Sequence, residues 1–237
     1  MILAAGYATR LYPLTLDTPK PLLEVGGRAM VENVLEAAEP LAADRTYLVT
    51  NSKFAGQFRE WASGYQREVR ILDDGTTDDA GRLGAIGDMA LSVEREQIDD
   101  DLVVIAGDNL FAERLEGFPP RRDAPVLGVY DVGDLERIRE YNAIELDGEG
   151  RIAFFEEKPA QPRSTLTGIA LYFYPRQRLP EIGRYLSEGG NPDQPGRLVE
   201  WLYPQTPVYA WRVLGLWFDI GSKDQLAEAD RIFSARR

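Results

Sequence analysis

Residues 102–109 read Leu-Val-Val-Ile-Ala-Gly-Asp-Asn. Five consecutive apolar residues closed by Gly-Asp are the pattern of a strand buried on both faces, as in a parallel sheet covered by helices. Reading back towards the N-terminus, Leu83–Val93 has a helical pattern, Glu68–Leu72 a strand pattern and Phe54–Ala62 a helical one. Thr46–Thr50 is again strand-like. Ala29–Ala38 sets Met30, Val31, Val34, Leu35 and Ala38 on one helical face, and Met1–Ala4 is short and apolar. This alternation predicts right-handed βαβ units and a parallel sheet. Reading forward, Pro125–Val132, Ala143–Leu146, Ile152–Phe155 and Leu166–Tyr174 are strand-like and closely spaced, with Asp147-Gly148-Glu149-Gly150 as a turn. They predict antiparallel additions. Ser222 and Gln225 have capping-box spacing ahead of a helix carrying Leu226, Ala229, Ile232 and Phe233. The fold expected over residues 1–237 is a single Rossmann-like α/β domain. Its central sheet is mixed and mostly parallel, flanked by helices, with antiparallel additions in the second half. Ligands of such sheets bind at the carboxyl ends of the parallel strands.

The composition narrows the chemistry. The 237 residues are 44% apolar and contain neither cysteine nor histidine. Thiolate nucleophiles, cysteine- or histidine-ligated metals, catalytic triads and imidazole shuttles are excluded. Carboxylates, Lys, Arg, hydroxyls, backbone amides and oxygen-ligated metals remain. The net charge of −12 argues against nucleic acid or an anionic membrane as partner. No segment is long and apolar enough to span a bilayer, and no basic region precedes the first apolar residues, so a soluble cytoplasmic protein is expected. Only four of the 27 basic residues are lysines: Lys20, Lys53, Lys158 and Lys223.

Five segments carry candidate chemistry. In Leu3-Ala4-Ala5-Gly6-Tyr7-Ala8-Thr9-Arg10, followed by Pro19-Lys20-Pro21, small residues let backbone N–H groups approach an anion, and Arg10 can fork onto phosphate oxygens. The same pattern also suits an ordinary charged surface loop. Asp108 at a strand end can hold Mg²⁺ or simply terminate the strand. Asp219 in Trp217-Phe218-Asp219-Ile220-Gly221 presents the same pair of readings. Glu156-Glu157-Lys158-Pro159 reads as a charged strand end or an anion anchor. Gly81-Arg82-Leu83-Gly84-Ala85-Ile86-Gly87-Asp88 combines three glycines with an acid that is expected to face solvent.

Leu3-Ala-Ala-Gly-Tyr-Ala-Thr-Arg-Leu with Pro19-Lys20-Pro21-Leu resembles the N-terminal signature of the sugar-phosphate nucleotidyltransferases, the NDP-sugar pyrophosphorylases that include glucose-1-phosphate thymidylyltransferases. Ala8 stands where most members have Gly. Because alanine resists a positive φ, a slightly different loop shape is expected there. The other four segments occur in the family's order, so the resemblance runs from Leu3 to Gly221. Relatives usually have a few more residues before Ile2, so the first strand reads as clipped, or the start codon as misplaced. The resemblance implies nucleotidyl transfer from an NTP, with dTTP or UTP favoured, to a sugar 1-phosphate, giving NDP-sugar and pyrophosphate. Residues 1–110 would mainly bind nucleotide and residues 111–237 mainly sugar phosphate.

The resemblance also implies residue roles. Asp108 and Asp219 would ligate Mg²⁺. Arg10 and Lys20 would act on the reacting phosphates. Leu3, Ala4, Ala5, Gly6, Gly84 and Asp108 would line the nucleotide site. Lys158 would bind the sugar phosphate and Glu157 a sugar hydroxyl, with Asn142, Gly168 and Trp217 nearby. Gly168 suits close approach of a sugar and tight strand packing equally well. Two alternatives stay open: a cytidylyltransferase acting on phosphocholine or another small phosphate, and a non-catalytic homologue that binds NDP-sugar. A monomer or small homo-oligomer is expected.

Overall fold

The computed structural model describes residues 1–236; Arg237, the last residue of the expected domain, lies outside them. In chain order the elements are β1 (Ile2–Leu3), α1 (Met30–Ala37), β2 (Tyr47–Thr50), α2 (Ala55–Gly64), β3 (Arg70–Asp73), α3 (Ala85–Arg95) and β4 (Leu102–Ala106). Then follow β5 (Asn109–Phe111), β6 (Val126–Asp131), α4 (Leu135–Ile138), β7 (Asn142–Leu146), β8 (Ile152–Glu157) and β9 (Leu166–Tyr174). The chain ends with α5 (Pro180–Ser187), α6 (Pro195–Leu202), β10 (Tyr209–Arg212), β11 (Trp217–Asp219) and α7 (Lys223–Ser234). The fold is mixed α/β, and the central strand pairings are mostly parallel. The described residues form two compact units: residues 1–84, 105–117 and 215–236, and residues 85–104 and 118–214.

In the first unit β1 pairs in parallel with β2 on one side and with the end of β4 on the other, and β3 continues the parallel set beyond β2. Tyr47, Leu48, Val49 and Thr50 are all buried, as the continuous apolar run requires. Met30, Val31 and Val34 of α1 are fully buried, confirming the face read from their spacing. A short antiparallel pair, β5 with β11, adds to this unit.

The second unit is where antiparallel pairing dominates. β6 runs antiparallel to β9 and parallel to β10, while β7 and β8 form an antiparallel hairpin around the turn at 147–150. α5 and α6 each begin with proline, which is pre-set for the first helical turn and whose missing N–H costs nothing there. Their apolar faces bury Ile182 and Tyr185, and Leu198, Val199 and Leu202.

Candidate active site

In the first unit the segment from Leu3 to Arg10 leaves the sheet at Leu3. The Ala4 N–H still donates to the Val49 carbonyl (2.9 Å), and the Asn51 side-chain amide donates to the Ala5 carbonyl (2.8 Å). Ala4, Ala5 and Tyr7 are buried. Gly6 is exposed, and a Cβ there would meet open space, so nothing in the chain itself demands the glycine. Gly6 keeps the backbone approachable from outside. Ala8 departs from expectation: it adopts the left-handed conformation at φ 48° that its Cβ disfavours. The surrounding bonds enforce it, since the Ala8 carbonyl accepts from the Thr15 hydroxyl (2.8 Å) and from the Leu11 N–H (3.0 Å). The loop therefore keeps the backbone shape that glycine would give, at a cost of about 1 kcal/mol.

Gly107 joins two motifs. Its N–H donates to the Leu3 carbonyl (2.8 Å), which ties the end of β4 to the end of β1. A Cβ on Gly107 would lie 3.1 Å from Pro21 and 3.2 Å from the Leu3 carbonyl oxygen. A side chain at 107 would push the 19–21 segment off the strand ends by a few tenths of an ångström. That approach brings the Lys20 ammonium onto Asp108, where Nζ donates to Oδ2 at 2.5 Å. Lys20 is 8% exposed, so the ammonium is desolvated, while the Asp108 carboxylate stays half-exposed.

Asp219 ends β11, which is paired with β5 so that Asp219 lies opposite Asn109, the residue after Asp108. Two residues 111 positions apart in sequence are thus neighbours. The Asn109 Oδ1 accepts from the Trp217 indole N–H (3.1 Å), a second tie between the two strands. Burial holds the Asp219 carboxyl above the usual carboxylate range, and the Asp108 charge pushes the same way; Lys20 and Arg10 pull against them. Arg10 lies over the backbone at Gly221, where a Cβ would be 3.4 Å from its Nη1. The glycine two residues after Asp219 therefore gives the guanidinium room. Ser222 caps α7 by accepting from the Gln225 N–H (3.2 Å), as the spacing predicts. The Gln225 side chain reaches one residue further back than in the usual capping box, accepting from Gly221 N–H (2.8 Å).

The first unit thus brings together Arg10, Lys20, Asp108 and Asp219, with Leu3, Ala4, Ala5 and Gly6 on the adjoining loop. Trp217 belongs here too, through Asn109. Gly84 ends the first long segment of this unit with φ 79°, a conformation that favours glycine. Asn109 itself was quoted in the sequence without a role. It is 3% exposed, and its buried Nδ2 has no partner among the described residues.

In the second unit, Asn142 pairs with Glu157 across the β7–β8 hairpin. The Asn142 Oδ1 accepts from the Gly168 N–H (2.6 Å), and its Nδ2 donates to the Gly168 carbonyl (3.1 Å). A Cβ on Gly168 would lie 2.7 Å from the end of the Leu127 side chain and 3.0 Å from that of Ile144, so a larger residue here makes those ends shift. Glu157 is half-buried, whereas Glu156 is exposed, as strand alternation dictates. Burial raises the Glu157 carboxyl above its ordinary range, with Arg197 and Lys158 lowering it in part. A Cβ on Gly196 would be 3.3 Å from the Glu157 Oε2, so the first turn of α6 closes over this carboxylate. Lys158 is exposed in the left-handed region at φ 49°, with its N–H donating to the Tyr141 carbonyl (2.7 Å). Asp88, expected to face solvent, is 5% exposed on α3. It falls on the inward side of that helix with Ile86, Met89 and Ser92. Arg197 was not singled out from sequence; Pro195 starting a helix that carries Leu198, Val199 and Leu202 was the available signal.

The model of the family described as nucleotidyl transferase matches residues 1–235. The chain belongs to that family. It is 26% identical over 235 residues to the "Bifunctional protein GlmU" of Methanocaldococcus jannaschii, covering 98% of this chain and 53% of that protein. It thus spans about half the length of that curated relative. Among solved structures, a Bacillus anthracis protein assigned as a glucose-1-phosphate thymidylyltransferase, in complex with a sucrose, matches with TM-score 0.75 at 21% identity, covering 98% of this chain and 94% of the other. A UDP-glucose pyrophosphorylase complexed with UDP-glucose matches with TM-score 0.83 at 18% identity, covering 100% and 98%. At these identities the likeness is one of fold.

Among the described residues no group of three or more acids forms a metal cage. Two carboxylates on neighbouring strand ends, one of them desolvated, are instead the hard oxygen donor set that suits Mg²⁺, which keeps waters or phosphates for its remaining positions. Among the described residues, no helix is long and apolar enough to cross a membrane.

Proposed function

We propose that the protein transfers a nucleotidyl group from an NTP, dTTP or UTP, to a sugar 1-phosphate, giving NDP-sugar and pyrophosphate. The observation that carries this reading is the cluster at the ends of β1, β4 and β11: Lys20 paired with Asp108, beside Asp219 and Arg10. The names of the structural relatives are consistent with it.

In the proposed reaction a sugar-phosphate oxygen forms the new bond to the α-phosphorus, the bond from that phosphorus to the β-phosphate oxygen breaks, and pyrophosphate leaves. Such a step depends on positioning and charge neutralisation rather than on covalent work by the protein. Arg10 and Lys20 neutralise the transferring and departing phosphates. The exposed backbone at Gly6 offers N–H groups to phosphate oxygens. Asp108 and Asp219 would hold Mg²⁺, which when bound supplies further neutralisation at the α-phosphate. Lys158 anchors the acceptor phosphate and Glu157 a sugar hydroxyl. The acceptor phosphate is already mostly dianionic at neutral pH, so no general base is needed.

The test is a matrix of NTPs against sugar 1-phosphates with Mg²⁺, reading pyrophosphate release and including CTP with phosphocholine. Release with a uridine or thymidine nucleotide and a sugar 1-phosphate supports the reading. Release only with CTP and phosphocholine replaces the acceptor, and no release with any pair overturns it in favour of a binding homologue.

A further inference from the structure

The charges of Arg10, Lys20, Asp108 and Asp219 cancel. Arg10 and Lys20 contribute two positive charges, Asp108 and Asp219 two negative ones, and the charged groups acting on Asp219 are the other three. The Lys20 ammonium is buried and donates to the Asp108 Oδ2 at 2.5 Å. Its backbone is held between Pro19 and Pro21, and Pro21 is packed on Gly107. Lys20 is therefore a resident counter-ion of Asp108 as well as a phosphate contact.

A bare divalent cation landing on Asp108 and Asp219 meets this arrangement unfavourably. It has to share or displace the buried ammonium, and it takes a neutral, partly buried cluster to a charge of +2. A nucleotide brings its own negative charge and gives Lys20 and Arg10 phosphate oxygens to turn to. We propose that Lys20 makes cation binding conditional on the triphosphate: it competes with a bare cation at Asp108 and is drawn off by phosphate, so cation and triphosphate bind with positive coupling. This rests on the reading of Asp108 and Asp219 as the metal ligands. By linkage the coupling is reciprocal, and effects between such sites span about 5–150-fold.

The test uses Mn²⁺ alone, titrated into the purified full-length chain and followed by the electron paramagnetic resonance signal of free Mn²⁺. Wild type is expected to bind Mn²⁺ weakly, and Lys20→Gln about tenfold more tightly. Lys20→Arg, which keeps the charge, is expected to stay as weak as wild type. Inorganic triphosphate, a probe independent of the base, should raise the Mn²⁺ affinity of wild type by a larger factor than that of Lys20→Gln. Circular dichroism melts establish that each variant is folded, and Lys20→Met serves in place of Lys20→Gln if the latter is not. Equal Mn²⁺ affinity in wild type and the neutral variants overturns the proposal. A gain in Lys20→Gln that survives addition of Asp219→Asn also overturns it, because the cation is then bound elsewhere. Failure of the transferase reading is seen separately, as absence of pyrophosphate release from wild type.

Discussion

The two compact units treat their polar candidates in opposite ways. In the first, side chains from positions 10, 20, 108 and 219 converge, and the fold leaves their charges facing one another. In the second, Asn142 and Gly168 are hydrogen-bonded to each other, and Glu157 is half-covered by the first turn of α6. The difference teaches how each group of side chains is held. In the first unit they rest on strand ends and close backbone approach. In the second they rest on a hairpin and a helix start, and under the proposed function these would bind the acceptor.

The sharpest way to break this contrast is to neutralise a carboxylate in the first unit. Asp108→Asn or Asp219→Asn is expected to lower kcat at least about 10³-fold, on the order of 4 kcal/mol. Asp219→Asn removes a half-buried charge and should leave the melting temperature near or above wild type. Asp108→Asn should lower it, because the buried Lys20 ammonium loses its partner. Pyrophosphate release and a thermal melt check both, and near-normal turnover in either variant would remove that residue from the metal site.

Next come the crowded glycines, one in each unit. Gly107→Ala sets a Cβ against backbone and a proline ring, whereas Gly168→Ala meets the ends of Leu127 and Ile144. Both should destabilise by about 1–3 kcal/mol in urea unfolding. Gly107→Ala should also reduce turnover, because the strain falls on the Lys20–Asp108 pair. A Gly107→Ala variant with unchanged turnover and stability would refute the linkage drawn between the two motifs.

Glu157 supplies a smaller and pH-dependent test. Its folded pKa is raised, so between the ordinary value of 4.5 and that raised value the folded state holds a proton that the unfolded state has released. This contribution favours the fold as pH falls through the window and opposes it above. Glu157→Gln should therefore melt slightly above wild type at pH 7, with the gap closing towards pH 4.5. At the same time its KM for the sugar phosphate should rise more than its kcat falls. The smallest expected effect is Ser222→Ala, about 1 kcal/mol in stability from the lost cap on α7, read from the same melts.

Much of this was legible in the sequence because long apolar runs and fixed-order motifs carry their own signal. β4 begins and ends where Leu102–Ala106 predicts, and the α1 face matched its spacing. What escaped had too few residues to show a period. β5 and β11 are three residues each, yet their pairing is what brings Asp108 and Asp219 close. Helices α5 and α6 were announced only by a proline and three or four apolar positions. The shape at Ala8 follows from the Thr15 hydroxyl and Leu11 amide that hold its carbonyl, which side-chain preference alone does not show. Asp88 lies on the inward face although an acid in a first helical turn usually faces water.

The indole of Trp217 has a practical meaning. The chain has four tryptophans, and this one is hydrogen-bonded to the residue next to Asp108 while lying two positions from Asp219. Its emission is therefore a built-in optical reporter of events at both carboxylates. The fluorescence difference between wild type and Trp217→Phe during a titration isolates that signal from Trp61, Trp201 and Trp211, with no label attached to the protein.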